Sequence, residues 1–526
     1  MIYKKFSLAD AIEEKIGTVT EITTVSEFNF QVIKTEEKPR IQGFVVVEHP
    51  LEEGSPLLAK IVEISGSKAQ RTEAKIAGQA PGEGKEQEIS MVESATATCL
   101  VVGSRNGNGQ LSAPGFPVKP GNPVYRPSSA YLTSMLAGRT PEDDLSVGLL
   151  EYVPEVEVKV EGNEILNKHL AIIGMTGAGK THAATVVLEE LMGFGYPILV
   201  LDAHGDYVNI GRLKDGRSFS YRMLDGRENS DVVRVFTGAL NPRGLAVEEF
   251  LDFVQALSGE VMTAPQRDLL KRAHEEVGAG DLDAIFDFLE RSLVEGLKGI
   301  RGETIVAVQR QVDVSRSVLT GVEADLRIEE IADSLDVGRG VVLNMAMLPE
   351  PIQRVTAQIT LDRLFRRRKN YAVDRRNPPF PPVFAVVEEA HSFAPSVDEA
   401  VFVPSRAVMR RVMAEAMKFG FSLCVITQRP SMLDEVVLSL CDSQMVLRLV
   451  NPEDRQCVRR SVEALTEEDS RVLPQLSRGE ALLLGEMAQI PCVVRVRDRK
   501  TASGLPAVNR LQEIVRYAEE ERRFAA

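Results

Sequence analysis

The sequence predicts a mixed α/β protein in which an α/β core follows an all-β region and is interrupted by a helical segment. Three observations predict this class: a glycine-rich loop set between a strand and a helix, recurring short apolar runs before residue 140, and helical periodicity between about 240 and 335. At 526 residues the chain is too long for one core, so we expect several domains.

The all-β region shows short apolar or alternating runs separated by Gly, Pro and Asn. These runs occupy residues 17–22, 28–33, 43–47, 57–64 and 97–102. Their spacing predicts a small barrel. The proline-rich stretch 113–123 favours a loop or an edge near a domain boundary. No catalytic constellation is evident here, which indicates a scaffolding or assembly role.

Composition limits the partners and the compartment. The formal net charge is −14, so any contact with DNA must be local, for example through basic loops that line a channel. The five cysteines are scattered and lack CxxC spacing, which predicts reduced thiols in a cytoplasm and no zinc site. There is no apolar run of about 18 residues and no signal-like start, so we expect a cytoplasmic protein without a membrane segment.

The glycine-rich loop fits the phosphate-loop pattern G-x-x-x-x-G-K-[ST] at every fixed position. We expect its residues to bind the nucleotide, together with the following His182; they are Gly174, Met175, Thr176, Gly177, Ala178, Gly179, Lys180 and Thr181. An apolar strand pattern at 170–173 precedes it and a helical pattern at 183–191 follows, which disfavours the alternative of a glycine-rich turn that binds nothing. Loop amides and Lys180 would hold the β- and γ-phosphates of ATP, and Thr181 would complete a Mg²⁺ shell.

Acids and one amide follow other apolar strand patterns. Asp202 ends a strand at 197–202, at the sheet edge where ligands bind. Two adjacent acids end the strand pattern at 381–387: Glu388 would hold Mg²⁺ or its water shell, and Glu389 would orient the attacking water. Gln428 ends a further strand and would sense the γ-phosphate; a surface-loop glutamine is the alternative.

The segment between about 240 and 335 reads as helices, with leucine or isoleucine at 282, 285, 289, 293 and 297. We interpret it as a helical insertion, because one ordinary crossover does not need about 100 residues. A further helix pattern at 355–368 ends in the basic cluster Arg366–Lys369. The cluster could contact phosphates, although a basic helix end is more often solvated.

Five segments in this order resemble the HerA family of hexameric DNA-translocating ATPases, kin of FtsK. They are residues 169–181, 201–207, 387–391, 418–420 and 427–430. The resemblance implies a RecA-like P-loop core with an N-terminal β-barrel and an inserted helical bundle. The implied domains are a barrel at 1–143, a core at 144–235 and 336–500, a helical insertion at 236–335, and a C-terminal arm at 501–526, with a charged helix at 511–523. It also implies a homohexameric ring that drives DNA through its pore with ATP, and a NurA-type nuclease partner in DNA end resection and repair.

Two positions depart from the family pattern. Lys168 and Met417 stand where relatives usually carry arginines that are thought to reach a nucleotide across the subunit boundary. Lysine keeps the charge but not the fork geometry, and methionine keeps neither. The candidates to replace them in trans are Arg410, Arg411, Arg459 and Arg460.

These departures keep a second hypothesis open, a slowly hydrolysing nucleotide-gated ring that scaffolds or regulates a nuclease or another defence effector. A monomeric small-molecule kinase is disfavoured because such kinases lack the barrel, the insertion and the tail.

Overall fold

A computed structural model describes most of the chain. The described residues are 6–33, 38–71, 90–106, 109–138, 143–222, 228–229, 232–396, 403–463, 465–504, 514, 517 and 523. They fall into two compact units, unit 1 with Met1–Asn163 and Ser443–Arg497, and unit 2 with Glu164–Asp442 and Asp498–Ala526. The helix predicted at 511–523 lies outside the described residues, apart from three single positions.

The strands of the described residues are numbered in chain order. They are β1 Ile12–Thr23, β2 Glu27–Val32, β3 Phe44–Glu48, β4 Pro56–Arg71, β5 Ser90–Arg105, β6 Leu111–Ser112, β7 Pro123–Pro127, β8 Asp144–Leu150, β9 Val153–Glu161, β10 Leu170–Ile173, β11 Ile198–Asp202, β12 Tyr221–Arg222, β13 Glu228–Asn229, β14 Val233–Thr237, β15 Gly340–Asn344, β16 Val383–Val387, β17 Phe421–Thr427, β18 Ser443–Leu447, β19 Glu480–Gly485 and β20 Cys492–Val496.

The α-helices are numbered in the same way. They are α1 Leu8–Ala11, α2 Ser129–Leu136, α3 Gly162–Asn167, α4 Lys180–Gly193, α5 Val247–Ser258, α6 Ala264–Val277, α7 Leu282–Glu295, α8 Gly302–Leu319, α9 Ile328–Ser334, α10 Glu350–Val373, α11 Ala390–Phe393, α12 Pro404–Glu415, α13 Glu435–Ser439, α14 Pro452–Ser461 and α15 Glu467–Val472.

Unit 1 contains the predicted barrel. The strands β2, β1, β7, β3, β4 and β5 pair antiparallel in that order, and a further pairing of β2 with β5 closes the ring. Inward-facing side chains such as Phe28, Phe30 and Leu57 are buried in its core, as the alternating pattern predicts. The barrel prediction is therefore confirmed.

Unit 1 also holds an antiparallel sheet in the order β18, β19, β20, β8 and β9. Strand β9 alternates buried and exposed residues over most of its length, with Val156, Val158 and Val160 buried.

Unit 2 is built on a parallel sheet in the order β14, β15, β11, β16, β17 and β10. The strands β10, β11, β16 and β17 are buried along their whole length, which matches their continuous runs of Val, Ile and Leu. Between β14 and β15 the described chain forms five α-helices and no strand, and α5 to α8 pack on one another. The mixed α/β class with a helical insertion is confirmed.

The helix α10 extends beyond its predicted end. The pattern predicts a helix at 355–368, but α10 continues to Val373 and is capped by Asp374, whose N–H donates to the Asn370 carbonyl. The cluster Arg366–Lys369 thus lies within the helix rather than at its end.

Among the helices of the described residues, none combines the length and the hydropathy that a membrane-spanning segment needs.

Candidate functional site

The carboxyl ends of four parallel strands meet at one edge of the unit 2 sheet. In spatial order they are β10, β17, β16 and β11, so β17 lies between the strand of the glycine loop and the strand of the two glutamates. The register pairs Ile173 with Thr427, and Leu201 with Val387. Side chains that follow these ends therefore converge, as the parallel rule predicts.

The glycine loop leaves the start of α4 open. Gly177 and Gly179 have φ values of 79° and 111°, which residues with a Cβ rarely adopt. Gly179 is the N-cap of α4 and offers no side-chain hydrogen bond to the first turn. A Cβ built on Gly177 meets no described atom within 4 Å, so the loop borders open space. The N–H groups of the first helical turn have no partner within the helix, and the helix dipole is positive at this end. Both features favour an anion in this space.

Lys180 and Thr181 begin α4, where Thr181 contacts Glu388 and the charge of Lys180 interacts with both glutamates. The Nζ atom of Lys180 donates to the Met175 carbonyl at 3.4 Å, and partial burial lowers its pKa while Glu389 and Glu388 oppose that shift. The Oγ1 atom of Thr181 lies 3.4 Å from Glu388 Oε1. The cation and hydroxyl predicted for nucleotide binding therefore face the acids that follow β16.

The two glutamates differ in burial and backbone. Glu388 is 4% exposed, and burial together with the negative charges of Asp202 and Asp206 raises its pKa well above the ordinary value. Glu389 has φ of 50°, an uncommon conformation that turns the chain into α11. The Oε2 atom of each glutamate is buried and makes no hydrogen bond to a described residue, although a histidine Nδ1 atom lies near each, His204 at 3.9 Å from Glu388 and His391 at 3.3 Å from Glu389. A cation or a bound water would satisfy such oxygens.

Sequence reasoning gave His391 no specific contact, but the structure places it against Glu389. Its Nδ1 atom is 3.3 Å from Glu389 Oε2 and 3.2 Å from the Thr427 hydroxyl. Burial lowers the pKa of His391, which favours the neutral imidazole. A histidine two residues after the second glutamate is the signal that could have found this contact.

Gln428 contacts the glycine loop, whereas Asp202 binds the backbone of the loop that follows its own strand. Gln428 is half-buried, and its Oε1 atom accepts a hydrogen bond from the Thr176 hydroxyl of the glycine loop. Asp202 is fully buried and accepts hydrogen bonds from the N–H groups of residues 204–207. His182 lies half-buried in the first turn of α4.

Lys168, which occupies one of the arginine positions, forms ion pairs within its own chain, and so do two of the candidate substitutes, Arg410 and Arg411. Lys168 lies 3.6 Å from Glu164 and 3.7 Å from Asp442. Arg410 pairs with Asp434 at 2.6 Å, and Arg411 pairs with Asp362. These contacts would have to be given up, or shared, for the cations to reach a neighbouring subunit.

Arg459 and Arg460 differ from these cations. Both are exposed near the end of α14, in unit 1, and no described residue forms an ion pair with either. Met417 is half-buried in the short 3₁₀ turn Ala416–Phe419.

The basic cluster of α10 is bound to its own chain. Arg366, Arg367 and Lys369 pair with acids at 2.6 to 2.9 Å. The Arg368 guanidinium donates to the carbonyls of Phe419 and Phe380, both at 2.6 Å. These contacts favour an intramolecular role over the alternative of phosphate binding.

No group of three or more His, Cys, Asp or Glu side chains in the described ranges is arranged to hold a metal ion. A divalent cation at Thr181 and Glu388 would therefore need further oxygens from phosphate or water. This is how Mg²⁺ commonly binds, with one or two carboxylates, substrate phosphates and several waters.

Comparisons with known proteins agree with the motifs. The family described as "Helicase HerA, central domain" matches residues 145–364. A DNA double-strand break repair helicase HerA from Pyrococcus furiosus is 28% identical over 450 residues, or 78% of this chain and 79% of the relative. A probable helicase, MJECL08, from Methanocaldococcus jannaschii is 25% identical over 92% of this chain and 95% of the relative. These matches confirm the resemblance to the HerA family.

Among solved structures, VirB4 of Thermoanaerobacter pseudethanolicus matches at 15% identity with a TM-score of 0.48, covering 67% of this chain and 96% of that one. A likeness at that level supports no inference about function.

Proposed function

We propose that this chain, which resembles the HerA helicases over most of its length, is an ATPase that drives DNA translocation with Mg²⁺ and ATP. One observation carries the proposal: Thr181 of the glycine loop lies 3.4 Å from Glu388, although the two are 207 residues apart in the sequence. Only a fold that brings a phosphate loop to a pair of acids makes this contact. Such a pairing is the arrangement that phosphoryl transfer from a nucleotide requires.

Each residue of the site has a distinct task in hydrolysis. The loop amides and Lys180 bind the β- and γ-phosphates, and Thr181 and Glu388 would hold Mg²⁺, which neutralises phosphate charge when bound. Glu389 orients a water molecule for in-line attack on the γ-phosphorus and accepts its proton. A bond forms between the water oxygen and phosphorus as the bond to the ADP oxygen breaks. Gln428 reports the γ-phosphate to the loop through Thr176.

The assembly is proposed from the resemblance to the HerA family rather than from this site. Several relatives are named as DNA double-strand break repair helicases, and that name supports DNA as the polymer along which this protein moves. We propose a homohexamer in which residues 1–143 serve assembly, 144–235 and 336–500 form the motor core, and 236–335 form the helical insertion. A NurA-type nuclease would act on the DNA ends that this ring delivers. The acidic net charge of −14 restricts DNA contacts to local basic loops.

A second function is favoured by the arginine positions. Lys168, Arg410 and Arg411 are bound to acids of their own chain, and Met417 carries no charge. An arginine supplied in trans contributes about 10³ to 10⁵ in kcat to phosphoryl transfer. A ring without it would hydrolyse ATP slowly and serve as a nucleotide-gated scaffold for a nuclease or another effector.

Steady-state ATPase assays and roadblock displacement on DNA separate these functions. The motor predicts ATP turnover stimulated by DNA, and displacement of a protein roadblock only while ATP is hydrolysed. Lys180→Ala abolishes both by removing nucleotide binding, whereas Glu389→Gln keeps binding and stops turnover. ATP turnover without roadblock displacement would exclude the motor and support the scaffold. Full activity of both variants would show that this site serves neither function. The nuclease partnership is tested by asking whether end degradation by a NurA-type enzyme needs Glu389 in this chain.

A further inference from the structure

Asp202 is occupied with its own loop. Its Oδ1 atom accepts from the N–H groups of residues 204, 205 and 206 at 2.8 to 3.3 Å, and its Oδ2 atom accepts from Tyr207 N–H at 2.9 Å. The side chain is fully buried. A carboxylate that binds four successive amides fixes the backbone path of the loop that follows. Both of its oxygens are therefore engaged by these amides, and its negative charge also lies close enough to Glu388 to help raise the pKa of that carboxyl.

Asp206 is the acid that this loop presents to Thr181. Its Oδ2 atom lies 3.5 Å from Thr181 Oγ1, on a hydroxyl that is also 3.4 Å from Glu388 Oε1. One hydroxyl proton cannot satisfy two carboxylates, and both distances are at the long limit of a hydrogen bond. Glu388 is more than nine-tenths buried, and its other oxygen has no described hydrogen-bond partner. Three oxygen-bearing groups thus converge, and one of their oxygens, Glu388 Oε2, is buried without a hydrogen-bond partner among the described residues.

The backbone of Asp206 is held from two sides. Its N–H donates to Asp202, and its carbonyl accepts from Gly504 N–H at 3.0 Å. The Asn209 side chain donates to the carbonyls of Ser503 and Gly504, at 2.9 and 3.1 Å. A Cβ at Gly504 would lie 1.9 Å from the Gly205 carbonyl oxygen, so the close approach requires glycine. Asp206 is a fixed feature rather than a mobile surface acid.

We propose that Asp206, with Thr181 and Glu388, holds the hydration shell of the Mg²⁺ that accompanies the nucleotide, while Asp202 builds the loop that positions Asp206. The inference rests on the proposed ATPase function. Mg²⁺ prefers oxygen groups and keeps several waters, so acids at this distance act through bound water. Residues that orient a metal's surroundings in this way affect metal affinity by about 10-fold to 100-fold.

The test measures binding of a fluorescent, slowly hydrolysed ATP analogue to the full-length protein with Mg²⁺ and with EDTA. Asp206→Asn should reduce the Mg²⁺-dependent gain in affinity by about 10-fold or more and leave affinity in EDTA within about twofold. Asp206→Glu should recover part of the gain because it restores the carboxylate. Asp215→Asn is the matched control, since Asp215 is an exposed acid paired with Arg217. It should leave both affinities unchanged.

The outcomes separate this inference from the function on which it rests. If Lys180→Ala binds nucleotide as tightly as the native protein, the proposed ATP site fails. If the native protein shows the Mg²⁺ gain and Asp206→Asn retains it within twofold, only the role of Asp206 fails. Mn²⁺ titration followed by electron paramagnetic resonance, with ADP present, gives a second readout. Loss of Mn²⁺ affinity in Asp206→Asn supports the inference, and unchanged affinity overturns it, with thermal melting confirming that the variant is folded.

Discussion

Replacement of Arg410 by alanine should destabilise unit 2 rather than remove a trans-acting arginine. The Arg410 guanidinium donates to both oxygens of Asp434, at 2.9 and 2.6 Å. The Asp434 side chain is 2% exposed, and one of its oxygens also caps α13 through Val437 N–H at 3.2 Å. Alanine would leave this buried carboxylate with only part of its hydrogen bonding.

The magnitude follows from burial. Breaking a fully buried ion pair costs about 3 to 5 kcal/mol. The Arg410 side chain is 30% exposed and Asp434 keeps its capping bond, so we expect about 2 to 3 kcal/mol here. For a unit of this size that corresponds to a drop of about 3 to 5 °C in Tm.

Thermal melting at fixed protein concentration and scan rate measures the effect, with Arg459→Ala as the control. Arg459 is exposed, so its replacement should change stability by less than about 0.5 kcal/mol. Asp434→Asn in the Arg410→Ala background should recover part of the Tm, because it removes the unpaired charge. A Tm within 1 °C of native for Arg410→Ala, together with a loss of kcat of about 10³ or more, would refute the reasoning and identify a trans-acting residue.

Three further predictions concern the rest of unit 2. Glu389→Gln should lower kcat by about 10² to 10⁴ while nucleotide affinity stays within about twofold; equal losses in binding would argue against a base. His169 accepts from Leu423 N–H on Nδ1, and burial lowers its pKa below 6.5, so the unfolded state binds more protons. Tm should therefore fall as pH drops below about 6.5, with a shallower fall in His169→Gln; identical slopes would contradict this. Gly504→Ala should lower Tm and weaken Mg²⁺-dependent nucleotide binding, because its Cβ meets the Gly205 carbonyl; a native-like Mg²⁺ gain would show that the contact does not matter.

The sequence was sufficient for the strands that carry the site. Continuous apolar runs ending in polar residues predicted β10, β11, β16 and β17, because strands buried on both faces leave no alternation. The parallel rule then brought their ends together. The order of strands was not predictable in this way, since β17 follows β16 in the sequence but lies between β16 and β10 in space.

The roles of the acids were harder to predict. Asp202 and Asp206 are both acids after a strand, and sequence pattern alone favours the one at the strand end. Only the backbone path shows that Asp202 faces the amides of its own loop and that Asp206 faces Thr181. The contact of His391 with Glu389 was missed for a similar reason, because it depends on the left-handed conformation of Glu389.

The central claim is that Mg²⁺ and ATP bind between the glycine loop and the paired glutamates. A crystal or cryo-EM structure of the protein with Mg²⁺ and a non-hydrolysable ATP analogue tests it most directly. The account predicts a triphosphate on the amides of residues 174–181, and a cation beside Thr181 and Glu388. A nucleotide bound elsewhere, or a cation far from Glu388, would contradict the account.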